Sequence, residues 1–409
     1  MTLIECCDQS ILHNIAGTLY LNPDKVIVIG EGELLQGTVE RIANFLAGRN
    51  IQPQIPVESL DIQDMNFNAI TQAILDTVNK EPYCVIDITG GDERVIMAVG
   101  VALTKVEGEK PDVQKFDLLT DHPIDCDGDG MIIPPNPVHL TVKELVALHG
   151  GIVHPNSYQP SAGITPLDLA GFWSFVKDNS SMWNDAQAVL GQFEKRSRDK
   201  FEVEIYRSRL GSEIKDFKQK DKVFKNLISI LETRGMIQDD SDPQCYRYRY
   251  TSAFHRHCTA KAGNVLELKV LLEAKAQVNQ DGSPFFDDCL MGVHIDWDGI
   301  VHTKEEQAQD PDTRNEMDLI LTRGMRSLFI SCKNGGVNED ELYKLNTVAH
   351  RFGGPHAQKL LIATSLAFDD EKAEKAFQQR TKDMDIHVEA DAGSLTSAGW
   401  AQLFKDIME

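Results

Sequence analysis

The chain alternates short, continuous apolar runs with stretches of helical periodicity. Residues 2–7 (TLIECC), 25–30 (KVIVIG) and 83–91 (YCVIDITGG) are apolar runs bounded by turn residues. Runs of this length without polar alternation are expected of strands buried on both faces. Between them, residues 10–21 put Ile11, Leu12, Ile15 and Leu19 on one face of a helix, and 37–48, 66–79 and 93–105 also read as helices. Strand–helix–strand alternation predicts an α/β fold with a doubly wound parallel sheet. Residues 114–133 are expected to form a hairpin that turns at the Asp/Gly cluster 125–130.

The pattern changes after residue 149. The Gly/Pro/Ser-rich stretch 149–163 reads as a linker, followed by amphipathic helices around 167–177 and 183–193. Residues 223–238 predict a further helix ending in a glycine turn, which suits a small helical or winged-helix-like module. From about 251 the order becomes α-β-β-β-α-β: a helix over 263–278, a strand over 289–297, two strands within 315–335, a helix over 339–352 and a buried strand over 358–365. The expected division is 1–150, 151–250 and 251–409, in line with two or three domains for 409 residues.

Charge sharpens that division. The net −22 separates into −14 over 1–150, +1 over 151–250 and −9 over 251–409. Such acidity excludes an indiscriminate nucleic-acid coat, which would be basic, but leaves room for a nucleic-acid enzyme with a local basic groove. Residues 195–225 hold eleven Lys/Arg against six Asp/Glu and read either as a solvated helical face or as a surface that steers nucleic acid. No apolar stretch reaches the ~18 residues of a membrane span. The N-terminal residues lack a signal-peptide pattern. Eight scattered cysteines without a CxxC pair predict reduced thiols in a cytoplasmic protein.

The chemistry concentrates in the third block. A hairpin turning at 324–325 places Asp318 opposite Ser331. Period-two alternation puts Lys333 on the face of Ser331, and Glu316 on the face of Asp318. Glu267 on the preceding helix is positioned to pack over that side. A carboxylate, a small polar group and a lysine are what metal-assisted phosphodiester hydrolysis requires: oxygen ligands for a hard cation and a cationic group beside the attacking water. Other motifs carry less. GEGELLQG (30–37) lacks the third glycine of a dinucleotide site, DCDGDG (125–130) lacks the acid that closes an EF-hand loop, and His255-Arg256-His257-Cys258 has no partner pair for zinc.

In the first block, Cys7-Asp8-Gln9-Ser10, Glu31-Gly32 and Thr89-Gly90-Gly91-Asp92-Glu93 fall at the carboxyl ends of predicted strands, where doubly wound folds bind ligands. Glycines permit close backbone approach, and the N–H groups opening a helix can hold an anion without any lysine.

The stretches GNVLELKVL, IDWDG, NEMDLILTRG, FISCKNG and RFGG resemble the PD-(D/E)xK nuclease superfamily, and more narrowly the nuclease domain of cyclic-oligoadenylate-activated effectors of type III CRISPR systems. MTLIECCDQSILHNI, KVIVIGEGE and DITGGDERV are similar to the CARF (CRISPR-associated Rossmann-like fold) domain of the same effectors. The resemblance implies an N-terminal Rossmann-like CARF domain and a C-terminal restriction-endonuclease-like domain. It implies a metal site of Glu267, Asp318 and the backbone carbonyl of Cys332 for Mn2+ or Mg2+, with Lys333 acting on the attacking water. It also implies cyclic tetra-adenylate as activator, held by Asp8, Gln9, Ser10, Gly32, Thr89, Gly90, Gly91, Asp92 and Glu93 across a homodimer axis, and DNA and/or RNA as substrate. One residue departs from the pattern: Ser331 stands where the superfamily places an acid two residues before the lysine. Glu316 is one compensation for it. The alternative is a ligand-sensing DNA-binding regulator that uses the middle block as a winged helix and retains the nuclease fold without activity.

Overall fold

Three sheets organise the chain. The computed structural model describes residues 1–49, 54–118, 122–126, 138–154, 159–161, 163–300, 302, 314–337, 339–366, 368 and 370–408. The first sheet is built from β1 (Thr2–Cys6), β2 (Lys25–Gly30), β3 (Val57–Asp61), β4 (Cys84–Asp87), β5 (Asp112–Asp117) and β6 (His122–Asp125). Its order is β3-β2-β1-β4-β5-β6, parallel except for β6. Helices α1 (Ile11–Leu21), α2 (Gly32–Gly48), α3 (Phe67–Lys80) and α4 (Glu93–Leu103) are the crossovers. Successive strands are added outward in one direction from β1 and in the other from β4, so the loops after these two parallel strands open onto one crevice. The hairpin β5–β6 turns between Asp117 and His122, earlier than the Asp/Gly cluster suggested. Residues 127–137 of that stretch lie outside the described residues.

Helix α5 (Val142–Leu148) and the two-residue strand β7 (Ile152–Val153) follow. The segment read as a linker is therefore partly structural: β7 pairs with a strand of the third sheet. Helices α6 (Pro166–Asp178) and α7 (Ser180–Glu194) lead into β8 (Glu202–Tyr206), α8 (Arg207–Glu213), α9 (Phe217–Thr233), β9 (Ile237–Asp239) and β10 (Cys245–Tyr250). These three strands form an antiparallel sheet, β8-β10-β9, with α9 between two of them in sequence, as a winged-helix-like module would have.

The last part runs α10 (Ala253–Cys258), α11 (Asn264–Ala276), β11 (Asp288–Asp296), β12 (Arg314–Arg323), β13 (Arg326–Lys333), α12 (Glu339–Gly353), β14 (Gln358–Ala363), α13 (Glu371–Asp383), β15 (His387–Glu389) and α14 (Ser397–Met408). The expected α-β-β-β-α-β order is present, extended by α13, β15 and α14. The sheet order is β15-β14-β13-β12-β11-β7. Helix α11 is buried on nearly all sides, and its buried Lys269 and Glu273 pair with each other.

Two apolar clusters join these parts. One runs from α1 and α2 (Ile15, Phe45) through α5 (Leu145) into β13 and α12 (Phe329, Phe352), so the first sheet and the third share a core. The other runs from α6, α7 and α9 (Trp173, Trp183, Phe224) into α11 and α14 (Leu268, Trp400). Trp173, Trp183 and Trp400 are buried there. A third cluster covers the opposite face of the first sheet under α3 and α4. No helix among the described residues is long and apolar enough to cross a membrane.

The first sheet also buries two carboxylates side by side. Glu5 and Asp87 are register partners on β1 and β4, beneath α1. Glu5 accepts from the Thr18 amide and hydroxyl, and Asp87 from the amides of Gly17 and Thr89. Burial and mutual repulsion push Glu5 well above the usual carboxylate range, and burial lifts Asp87 to about 6. A carboxylate whose folded pKa is raised binds more protons folded than unfolded, so its contribution to stability falls as pH rises from the unfolded to the folded value. Thermal unfolding should therefore show stability declining between about pH 4 and 6, by roughly 2 kcal/mol from Asp87 alone. Glu5→Gln should flatten that decline and raise the Tm at pH 8; an unchanged pH profile would refute the coupling.

Candidate functional site

The site is set by a two-residue turn. Arg323 pairs with Arg326 around Gly324-Met325, with Gly324 at φ 58°. The ladder then runs Thr322–Ser327, Leu321–Leu328, Ile320–Phe329 and Leu319–Ile330. It stops one pair short of Asp318 and Ser331, where the strands part. In that parting the Asp318 carboxylate takes the place of a backbone acceptor. The amide of Cys332 donates to Asp318 Oδ2 at 2.6 Å, and Ser331 Oγ lies 3.4 Å from the same oxygen. The N–H and C=O of a strand residue point to the same side, so the Cys332 carbonyl also faces the parting.

On its other side β12 meets a break in the pleat. Gly292, across from Asp318, has φ 56°, a left-handed conformation that suits glycine. Met291 and Val293 then enter different apolar clusters although they lie two residues apart, and so do their partners Leu319 and Met317. The two faces exchange clusters at Asp318 although the register of the strands is the same on both sides of it.

Charged groups gather around this point. Glu267, in the first turn of α11, is mostly buried. Burial first, then repulsion from Asp318 and Glu316 against attraction from Lys261 and Lys333, pushes its carboxyl up to about 8. Burial also raises Asp318, opposed by the Cys332 amide and by Lys333 and Lys344. Glu316, although burial acts the other way, is held below its ordinary range by Lys261, whose Nζ is 3.1 Å away. Lys333 Nζ is not on Asp318; it forms an ion pair with Glu341 of α12 at 2.7 Å. A cavity of about 10 Å³ opens between Glu316, Asp318, Ser331, Glu341 and Lys344, about the room one water-sized occupant needs.

Glu267, Glu316, Asp318, Ser331 and Lys333 are thus brought to one place. Sequence reasoning missed Lys261, Glu341 and Lys344, which come from the loop before α11 and the first turns of α12. The only available signal was the acidic run Glu339-Asp340-Glu341 opening a predicted helix. The donor set is suited to a hard cation: carboxylate oxygens and a strand carbonyl, with two carboxylates whose mutual repulsion a cation would relieve. No group of three His, Cys, Asp or Glu side chains stands in metal-holding arrangement among the described residues.

The middle module buttresses these loops. Trp183 Nε1 donates to the carbonyl of Ala262, and Gln187 reaches the carbonyls of Thr259 and Ala260. Asn184 donates to the Asn334 carbonyl and accepts from the Asn334 side chain, both at 2.8 Å. Both sequence neighbourhoods of the site, before α11 and after Lys333, are therefore tied to α7. Along β8 and β10 of the same module a groove of about 720 Å³ carries Arg196, Arg198, Arg209, Arg247 and Arg249. Most of its cations are paired: Arg247 with Glu204, Arg249 with Glu202, and Arg196 and Arg209 with Glu213.

The loops of the first sheet form a second constellation. Asp8 accepts from the amides of Ser10 and Gly91, and its carboxylate lies 3.1 Å from His13 Nδ1. The His13 hydrogen bond and these amides, against partial burial, hold Asp8 well below the usual carboxylate range. Gly91 has φ 121°, and a Cβ there would lie 2.5 Å from that of Cys6. Thr89 donates to Asp87 and accepts from the Phe116 amide. Arg94 pairs with Glu31 in solvent. The side chains of Asp8 and Thr89 are therefore spent on shaping the loop. Gln9, Ser10, Gly32, Gly90, Asp92 and Glu93 stand around the same crevice at the ends of β1, β2 and β4. His13 Nε2 lies 3.5 Å from His356 Nε2, just beyond α12, so this crevice touches the part of the chain that carries Lys333.

Solved structures superpose on the whole chain. Protein VC1899 from Vibrio cholerae superposes with a TM-score of 0.72 at 16% identity, covering 100% of this chain and 97% of that one. Can2 from Sulfobacillus thermosulfidooxidans, solved in complex with cyclic tetra-adenylate, gives 0.65 at 15% identity with the same coverage. The chain has their fold. No family model and no curated protein matches it.

Asn184→Ala removes one donor and one acceptor from a part-buried amide pair. It should cost about 1–3 kcal/mol in chemical denaturation. It should also speed amide exchange selectively in the peptide spanning 333–337; protection unchanged there would show that α7 does not hold the loop.

Proposed function

We propose that the chain is a cyclic tetra-adenylate-activated, divalent-metal-dependent endonuclease of type III CRISPR defence, working as a homodimer on DNA and/or RNA. The observation that carries this reading is the meeting of Asp318, Ser331 and Lys333 where β12 and β13 part, with Glu267 facing them from α11. In this reading residues 1–150 sense the ring, 151–250 form the winged-helix-like support, and 251–409 cut.

Asp318, Glu267 and the Cys332 carbonyl are the groups to hold Mn2+ or Mg2+. A bound divalent cation would polarise a phosphoryl oxygen and acidify a water. The chain's own contribution is orientation. The Cys332 amide fixes Asp318 at the edge of the cavity. Lys333 and Lys344 bring positive charge to where a phosphodiester gains negative charge during attack.

At the sensor, Asp8 holds the amides of Ser10 and Gly91, so donors for phosphates would come from the other backbone N–H groups opening α1 and α4, which suits a crevice in the most acidic part of the chain. A four-fold ring of nucleotides is compatible with a two-fold axis, so two copies would present the same loops to it. Can2, solved in complex with cyclic tetra-adenylate and covered over 97% of its length, supports that ring as the ligand in this reading.

The deciding experiment is a cleavage assay on DNA and RNA, single- and double-stranded, with Mn2+ or Mg2+, with and without cyclic tetra-adenylate. Activator-dependent cutting is expected. Asp318→Asn should lower it at least about 1,000-fold, equivalent to roughly 4 kcal/mol of transition-state stabilisation, with activator affinity unchanged. Cutting that persists in this variant, or activator-independent cutting by the wild type, would overturn the reading.

A further inference from the structure

The acid absent at position 331 has a substitute across the cavity. Ser331 stands across from Asp318 one step beyond the last pair of the β12–β13 hairpin and is itself buried. A carboxylate there would have stood beside Asp318 and shared a strand face with Lys333. Instead α12 folds back over the open end of the hairpin. Glu341 and Lys344 are three residues apart, hence on one face of that helix, and both border the cavity that Asp318 and Ser331 line. Leu342 and Leu345 anchor the helix in the shared apolar core, which fixes the height of Glu341 over the site. Its Oε2 holds Lys333 Nζ at 2.7 Å, so the lysine has a carboxylate partner although its own strand supplies none.

Resting on the nuclease reading above, we propose that Glu341 is the relocated acid of this site: it positions Lys333 and completes the carboxylate set toward the divalent cation in place of an acid at 331. Glu316 is the competing candidate on geometry, since it borders the same cavity. Its carboxylate is taken by Lys261, on the side of the α11 loop, 3.1 Å away. Glu341 is instead joined to the reactive lysine itself.

The test moves the acid back. Mn2+ affinity is measured by electron paramagnetic resonance on the full chain without activator, and cleavage is measured separately with activator. Glu341→Gln should weaken Mn2+ binding at least tenfold and slow cleavage at least 100-fold. Adding Ser331→Glu to Glu341→Gln should restore at least tenfold of each. Ser331→Asp is run in parallel as a smaller side chain for a buried position, and circular dichroism checks that each variant is folded. Wild-type Mn2+ affinity in Glu341→Gln, or folded double variants that recover nothing, would overturn the proposal. So would Mn2+ binding that depends on Glu316 and not on Glu341. If the wild type cuts no nucleic acid, the nuclease reading fails while the Mn2+ titrations still decide the role of Glu341.

Discussion

A carboxylate sits where a backbone carbonyl would be expected, and much of the third sheet is arranged around it. Asp318 accepts from the Cys332 amide at the point where β12 and β13 stop pairing. Without that bond the amide would be an unsatisfied donor in a largely buried place, at a cost of about 1–3 kcal/mol. With it, the strands can separate by one side chain without losing their register. The gap so made admits Glu267 from one side and the first turns of α12 from the other. Each group brought in is charged, and none is far from a partner of opposite sign: Lys261 for Glu316, Lys333 for Glu341.

The same economy appears at the first sheet. Asp8 uses its carboxylate on two amides and on His13, and the loop that bears Gly90 and Gly91 takes its shape from this. An acidic lobe thus turns one acid inward, while Glu31, Asp92 and Glu93 beside the same crevice stay exposed. Net charge is a poor guide to what such a surface binds; the direction in which each carboxylate is spent matters more.

Part of this was legible in the amino-acid order. The hairpin was, because a tight turn at Gly324-Met325 fixes every cross-strand pair by arithmetic, so Asp318 had to face Ser331. The parallel sheet was, because KVIVIG and CVID are apolar without alternation. The break at Gly292 was not, since a lone glycine in an alternating strand does not announce a left-handed backbone. Glu341 was hidden among three acids at a helix start, where the helix dipole alone explains them. Asn184 was hidden because its partner, Asn334, lies 150 residues away. The β5–β6 turn was misplaced because Asp/Gly-rich residues are good turn formers wherever they fall, and composition cannot say which of two nearby loops closes a hairpin.

Strand β7 is only two residues long, yet it changes how the chain can be taken apart. Ile152 and Val153 hydrogen-bond to Asp296 and Ile295, and nearby the Thr322 hydroxyl donates to the Leu140 carbonyl while the Val142 amide donates to Asp288. The join between the two large lobes is thus sewn into the sheet it leads to. A cut at residue 150 would leave β7 with its partner β11 on one fragment, but would separate the Leu140 carbonyl from Thr322 and the Val142 amide from Asp288 and bare the apolar side chains of α5 on the other. In such a protein sequence blocks are not interchangeable cassettes: exchanging the N-terminal lobe for another would require carrying over the stitch at 138–154, and the boundary that matters for recombination is set by hydrogen bonds and not by composition.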